Sequence, residues 1–379
     1  MSGVVALSTI IFIAPLLYVI GMLHWVELPK AVFIQVGVAV IFFFWSVCRD
    51  EERVIKWPST LTPIMLFFGW AALSLLWAVN TYDGAVLVLH WGSCALLIFL
   101  IVNLVKDPKP ILIAGACSGF VVAVYGLLQV YGLAQYVPWI GDIHNISNIL
   151  GSFFGHKNAA GRFMVETLPF AVVLAWIIKG KSRYVFGLMA VTILAFLYLC
   201  QSTAALVALA CMVLFGVIWT FRKRKWVLIG TALLIILSSV IGSYKIDSTA
   251  FNTNARTEFI LPVLQSGGTL AGVGIGNTRA MYGSLLNRTE RTKGTYYQLN
   301  YLHNDYVQIW FELGYIGIAI LLFCIYRISK MFFIGRKDPV KMAMAASVIG
   351  VAVTALFSFP AYMPIDPLMV GVCLGIAEL

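Results

Sequence analysis

The stretch Leu302-His303-Asn304-Asp305-Tyr306-Val307-Gln308-Ile309-Trp310-Phe311-Glu312 is where a polar segment runs straight into an apolar helix. It closes Tyr244 to Glu312, the one long polar segment of the chain, which carries Arg256, Glu258, Arg279, Arg288, Glu290, Arg291, Lys293, His303 and Asp305. Elsewhere the sequence is a succession of apolar runs. Of 379 residues, 61% are hydrophobic and 11% charged; a soluble domain carries roughly 25% charged residues. The composition is that of an all-α polytopic membrane protein. The apolar runs cover 4–22, 31–48, 60–79, 84–105, 110–132, 159–178, 184–201, 204–221, 226–243, 306–329, 341–359 and 362–377. At ~20 residues per crossing they predict about twelve transmembrane helices in one integral membrane domain, 1–379.

The net charge of +10 is not a nucleic-acid signature, because the basic residues sit in short turns between apolar runs. Loops after even-numbered runs hold 17 of the 26 basic residues, among them Arg222-Lys223-Arg224-Lys225. Basic loops stay cytoplasmic, so both termini are expected inside. The large loop 244–305 and the smaller segment 133–158, with Tyr136 and Trp139 as interface anchors, then face outward. The seven cysteines fall in or beside apolar runs with no CxxC or Cys/His spacing, which predicts neither a disulfide framework nor a zinc site. The first run lacks a basic leader and a small-residue cleavage site and reads as a retained helix.

Four places carry candidate chemistry. In the large loop, Asn254 is expected to cap a short interfacial helix with Glu258 in its first turn. Phe259, Ile260, Val263 and Leu264 would share a face, and Pro262 would kink or end the helix. Arg256, near its start, is either an anion clamp or a ligand of ordinary phospholipid. Gly272-Val273-Gly274-Ile275-Gly276-Asn277 has the flexibility to approach a phosphate, but its spacing is not that of a dinucleotide fingerprint. It reads first as a tight turn that sets Asn277 and Arg279 beside the site. At the entry to the tenth run, Asn304, Gln308 and Glu312 fall four apart and form a polar stripe that must face a cavity or the bundle interior. His303 has the ordinary imidazole range, ~6.5, suited to taking a proton from an alcohol; the plainer reading is an interfacial histidine. Asp305, adjacent in sequence, points ~100° away on a helix and is a poor partner for it. In the sixth run, Asn158, Arg162 and Glu166 are four apart, and Arg162 is expected to pair with Glu166. His156 and Lys157 lie above them, within reach of a phosphate. No acid and histidine cluster has metal-ligand spacing, so no metal and no other cofactor is expected.

These pieces together resemble the O-antigen ligase and polymerase family of membrane glycosyltransferases. The resemblance rests on Gly151-Ser152-Phe153-Phe154-Gly155-His156-Lys157-Asn158 opening a helix, and on Arg256 followed by Gly272-Val273-Gly274-Ile275-Gly276-Asn277. Its third element is His303-Asn304-Asp305-Tyr306-x-Gln308 before Glu312-Leu313-Gly314 and Gly317. It implies an enzyme on the outer face of the bacterial inner membrane. Such an enzyme moves a glycan from undecaprenyl diphosphate to lipid A–core, to another glycan or to protein. His303 would activate or position the acceptor hydroxyl, and Arg256 would hold the leaving diphosphate, whose growing charge a cation stabilises. Direct attack, without metal, would invert the anomeric carbon. Many family members carry an arginine in the turn between the seventh and eighth helices. Here that turn is Gln201-Ser202-Thr203, so Arg162 or Lys157 is expected to stand in for it. Within the family the reading favours ligase over polymerase; the chain ends just after the twelfth run, without the extra carboxy-terminal region of some protein-glycosylating members, which disfavours that option. A polysaccharide-lipid transporter or flippase, and a non-catalytic assembly partner, are the readings from other classes.

Overall fold

The structure, a computed structural model, describes residues 2–19, 26–48, 54–136, 150–221, 253–285, 299–335 and 337–379. Eleven of the twelve apolar runs are helical there, and the ninth, 226–243, lies outside the described residues. The helices are α1 (Ser2–Ile13), α2 (Glu27–Val47), α3 (Leu61–Leu73), α4 (Thr81–Leu104), α5 (Lys109–Val130), α6 (Lys157–Ile177) and α7 (Ser182–Leu199). They continue with α8 (Thr203–Phe221), α9 (Thr253–Gln265), α10 (Thr278–Leu285), α11 (Asp305–Ile334), α12 (Pro339–Thr354) and α13 (Ile365–Glu378). Among the described residues seven helices are long and apolar enough to cross a membrane: α2, α4, α5, α6, α7, α8 and α11. Apolar stretches at Gly3–Leu16, Leu61–Leu76 and Pro339–Thr354 are shorter. Large apolar side chains such as Phe43, Phe44, Trp176 and Leu188 stay more than half exposed. A water-soluble fold would bury them; lipid accommodates them.

Polar caps start several helices. The Asn80 side chain accepts from the Asp83 amide at 3.2 Å to open α4, and Asp338 accepts from Val340 at 2.8 Å to open α12 behind Pro339. The hub is α6, which packs against α5, α7, α8, α12 and α13. Small residues allow the close approach: a Cβ at Gly115 would come 2.7 Å from the Phe170 ring, and one at Gly161 2.7 Å from Ser202 Cβ.

The turns sort into two ends. At one end Asn103 bonds to Lys56, Glu378 to Ser59 and Arg327 to Ser59, so the connections after the second, fourth and tenth runs lie together with the end of α13. At the other end the buried Lys30 ammonium, at the start of α2, donates to the carbonyls of Leu17 and Phe153. There Asn80 also meets Asn277, Ser202 meets Asn158, and Asp305 meets Ala355 and Ala361. The candidate site is at this second end.

Candidate functional site

The glycine-rich segment and α11 build one clasp. Gly314 has φ 68° and breaks α11, which frees carbonyls and amides that an intact helix would pair. The loop takes them up. Val273 N donates to Phe311 O at 3.0 Å and Gly274 N to Glu312 O at 2.8 Å. Tyr315 N and Ile316 N donate to the carbonyls of Thr269 and Leu270 at 3.2 Å, and the Trp70 indole donates to Leu313 O at 2.9 Å. Gly272 has φ 73°, and a Cβ there would overlap the Glu312 carbonyl, so only glycine lets the loop lie this close to the break.

Glu312 fills the anion-binding concavity that the loop forms. Its Oε1 accepts from Thr278 N (3.1 Å), Thr278 Oγ1 (2.6 Å) and Gln308 Nε2 (3.2 Å), and its Oε2 from Gly276 N (3.0 Å) and Tyr362 OH (2.8 Å). The loop amides and the start of α10 therefore bind an internal carboxylate rather than a phosphate. Burial, with Glu312 beside it, raises the Tyr362 phenol well above its ordinary range, so it stays a donor. Gln308 and Glu312 are buried in the bundle interior, as their spacing requires, whereas Asn304 is the partly exposed cap before α11; Gln308 also accepts from Leu302 N at 2.9 Å.

Two expected ligand contacts are structural instead. Asn277 is fully buried; its Oδ1 accepts from Asn80 N at 2.7 Å and its amide donates to Ile275 O at 2.9 Å, which ties the loop to the α3–α4 turn. Asn304 caps α11, accepting from Val307 N at 3.1 Å and donating to Leu356 O at 3.1 Å. Both side chains are spent on backbone groups, Asn277 on those of Asn80 and Ile275 and Asn304 on those of Val307 and Leu356.

His303 lies between these two elements with φ 55°, a left-handed conformation unusual for histidine. Its half-buried ring sits between Phe259 of α9 (centroids 6.1 Å, 28°) and Phe359 (5.0 Å, 74°). Tyr301 stacks on Phe359 at 4.3 Å, and burial pushes its phenol up to about 12. Asp305 is turned away, as expected: its Oδ2 accepts from Ala361 N at 2.8 Å. Arg256 lies one turn before Phe259 on α9. That helix begins at Thr253, so Asn254 lies inside it rather than capping it, and Pro262 falls within the helix without ending it. Val263 is buried, whereas Leu264 is half exposed. The side chains of Arg256 and Glu258, together with Trp139, Arg288, Glu290, Arg291 and Lys293, lie outside the described residues.

Phe359 also links His303 to α6, since the Arg162 guanidinium lies 6.0 Å from its centroid. The expected Arg162–Glu166 pair is not what forms. Arg162, 4% exposed, pairs with Asp366 of α13 (Nε to Oδ1, 2.7 Å; Nη2 to Oδ2, 3.3 Å) and donates to Ser358 Oγ at 2.7 Å. A planar guanidinium is better matched by a carboxylate presented in two-pronged fashion from a neighbouring helix than by one four residues along its own. His156 caps α6, its Nδ1 accepting from Asn158 N at 3.1 Å. Partial burial, then the charges of Arg162 and Lys157, hold its pKa below the ordinary range. Lys157 has no hydrogen bond or ion pair with the described residues, and its charge acts on Cys200 beside the Gln201-Ser202-Thr203 turn. Arg279, exposed at the start of α10, acts on Tyr301.

His303, Arg162, His156, Lys157 and Arg279 thus gather at one end of the bundle. Asp366, Phe359, Ser358 and Tyr301 are members that sequence reading did not single out. Asp366 carried a usable signal, as the lone charge within the apolar run 362–377, where it needs a partner.

A multispanning helical membrane protein with a cationic, aromatic site at one end is the class that fold and site define. The family model described as O-antigen ligase matches residues 188–322, from within α7 to within α11, including the Thr203 turn, Arg256, the clasp and His303. No curated protein matches the chain. Over this segment, about a third of the chain, the sequence is similar to the O-antigen ligase family, in keeping with its multispanning helical fold.

Proposed function

We propose that the protein transfers a glycan from undecaprenyl diphosphate to a sugar hydroxyl of lipid A–core on the outer, periplasmic face of the inner membrane, with inversion and without metal. The observation that carries this reading is the meeting of His303 and Arg162 around Phe359, at the end of the bundle that also holds Lys157 and Arg279. An imidazole held between two rings has few orientations, which suits it to meet an incoming hydroxyl. The proton leaves the acceptor oxygen for His303 as the oxygen bonds to the anomeric carbon and the carbon–diphosphate bond breaks. Arg256 holds the departing diphosphate. Of the two cations considered in place of an arginine at Thr203, Arg162 is committed to Asp366, so Lys157 is the one assigned to the diphosphate.

The broken helix α11 is a feature that a transporter would use to line a cavity. Here the groups freed at Gly314 are taken by the clasp, which favours an interfacial enzyme. The test is a reconstituted reaction in nanodiscs with an undecaprenyl-diphosphate glycan and EDTA, with lipid A–core present or omitted. Product only with lipid A–core supports the ligase. A ladder of lipid-linked glycans in its absence makes the protein a polymerase, and no product from folded protein overturns the enzymatic reading.

A further inference from the structure

Glu166 lies one turn past Arg162 on α6 and is 1% exposed, yet neither of its carboxylate oxygens receives a hydrogen bond from the described residues. A buried carboxylate with no donor is strongly disfavoured, and such a group takes up a proton instead. Asp366 lies within side-chain hydrogen-bonding reach of it. Two carboxylates only accept, so no hydrogen bond joins them until one is protonated. Arg162 decides which one. It grips both oxygens of Asp366, at 2.7 and 3.3 Å, and reaches neither oxygen of Glu166.

The other groups facing Glu166 do not supply what it lacks. The Cys373 thiol of α13 lies within range of the Glu166 charge. Ser347 of α12 donates to its main-chain carbonyl at 2.7 Å, not to its carboxylate. From α4, His90 acts on Asp366. The described residues of α5, α7 and α8 add no titratable group to those acting on Glu166.

We propose that Glu166 is a standing proton-binding site, a neutral carboxylic acid donating to Asp366, so that Arg162, Asp366 and Glu166 share one proton and hold the guanidinium against Phe359. Glu166 is then a positioning residue for Arg162. An alkali cation fits less well, since it needs several converging oxygens and those of Asp366 already face a guanidinium.

Infrared difference spectroscopy on the full chain in nanodiscs at neutral pH tests this. The wild-type protein is expected to show the carbonyl stretch of a protonated, buried carboxylic acid. Glu166→Gln, which keeps a neutral donor, should abolish that band while keeping the wild-type melting temperature. Glu166→Ala, which leaves Asp366 without its donor, should melt lower. If Glu166→Gln does not fold, Glu166→Asp serves in its place and should shift the band rather than remove it. A spectrum in which neither variant alters an acid band overturns the proposal, as does Glu166→Gln melting as low as Glu166→Ala. Neither readout requires glycosyl transfer, so failure here is separable from failure of the proposed reaction.

Discussion

Replacing Glu312 tests whether its carboxylate is the pin of the clasp. Five donors converge on it, three on Oε1 and two on Oε2, and the side chain is fully buried. In Glu312→Gln the amide oxygen takes the Oε1 position and keeps three donors. The new NH2 then faces Gly276 N–H and the Tyr362 hydroxyl; the hydroxyl rotates to accept, and the Gly276 N–H is orphaned. Losing a charge-assisted bond weighs ~1.5–3 kcal/mol and a buried orphan ~1–3 kcal/mol. Relief of the buried charge offsets part of this, which leaves roughly 2–3 kcal/mol. Glu312→Ala also orphans Thr278 N–H and removes packing, for about 4 kcal/mol. Thr278→Ala, with one donor lost, falls near 1 kcal/mol. The assay is unfolding in nanodiscs together with hydrogen exchange over 269–278. At ~1.4 kcal/mol per factor of ten, Glu312→Gln should speed local exchange on the order of 30-fold. Wild-type exchange and melting in Glu312→Ala would refute the reasoning, because the five contacts would then hold nothing.

Three further expectations follow from the site. His303→Gly should abolish transfer while the protein melts no lower than wild type, since glycine relieves a left-handed conformation that disfavours other residues by ~1 kcal/mol; retained transfer would remove His303 from the reaction. Lys157→Ala should raise KM for the lipid-diphosphate donor roughly tenfold, the loss of about one charge-assisted contact, and Thr203→Arg in the same chain should restore it; no rescue would argue against a shared diphosphate role. His156 caps α6 through an unprotonated Nδ1, and its folded pKa lies below the unfolded ~6.5. Its contribution to stability is therefore complete above ~6.5 and is lost as pH falls through the lower folded value. Asparagine caps without titrating, so between about pH 8 and 5 the wild type should lose stability relative to His156→Asn, and parallel melting curves would refute the cap.

The polar stripe on α11 shows how far spacing carries. Residues four apart share a helix face whatever the fold, so Gln308 and Glu312 were legible as inward-facing, while Asn304 became the cap before the helix. What each would bond to was not, because Thr278, Tyr362 and Leu356 come from elements distant in sequence. The glycine segment was legible as a turn for the same local reason, that only glycine tolerates φ of 73–94° repeatedly. Its true ligand, a carboxylate of the same chain, depended on the break at Gly314, which no apolar pattern marks. Arg162 shows the opposite limit. Helical spacing offers Glu166 as a partner, and the offer was misleading, since packing of α13 against α6 supplies Asp366 with better geometry.

The sequence by itself determined the material and the pattern: apolar runs long enough for lipid, basic turns on alternate connections, and a polar segment holding a histidine at a helix entrance. These are properties of composition and local period, which short stretches carry alone. Tertiary structure decided the partnerships. It set Phe359 between His303 and Arg162, gave Asp366 to Arg162, left Glu166 without a donor among the described residues, and turned the glycine loop onto Glu312. Those outcomes follow from which helix faces meet, and in a buried, low-dielectric interior every polar group must be satisfied by whatever neighbour that meeting provides.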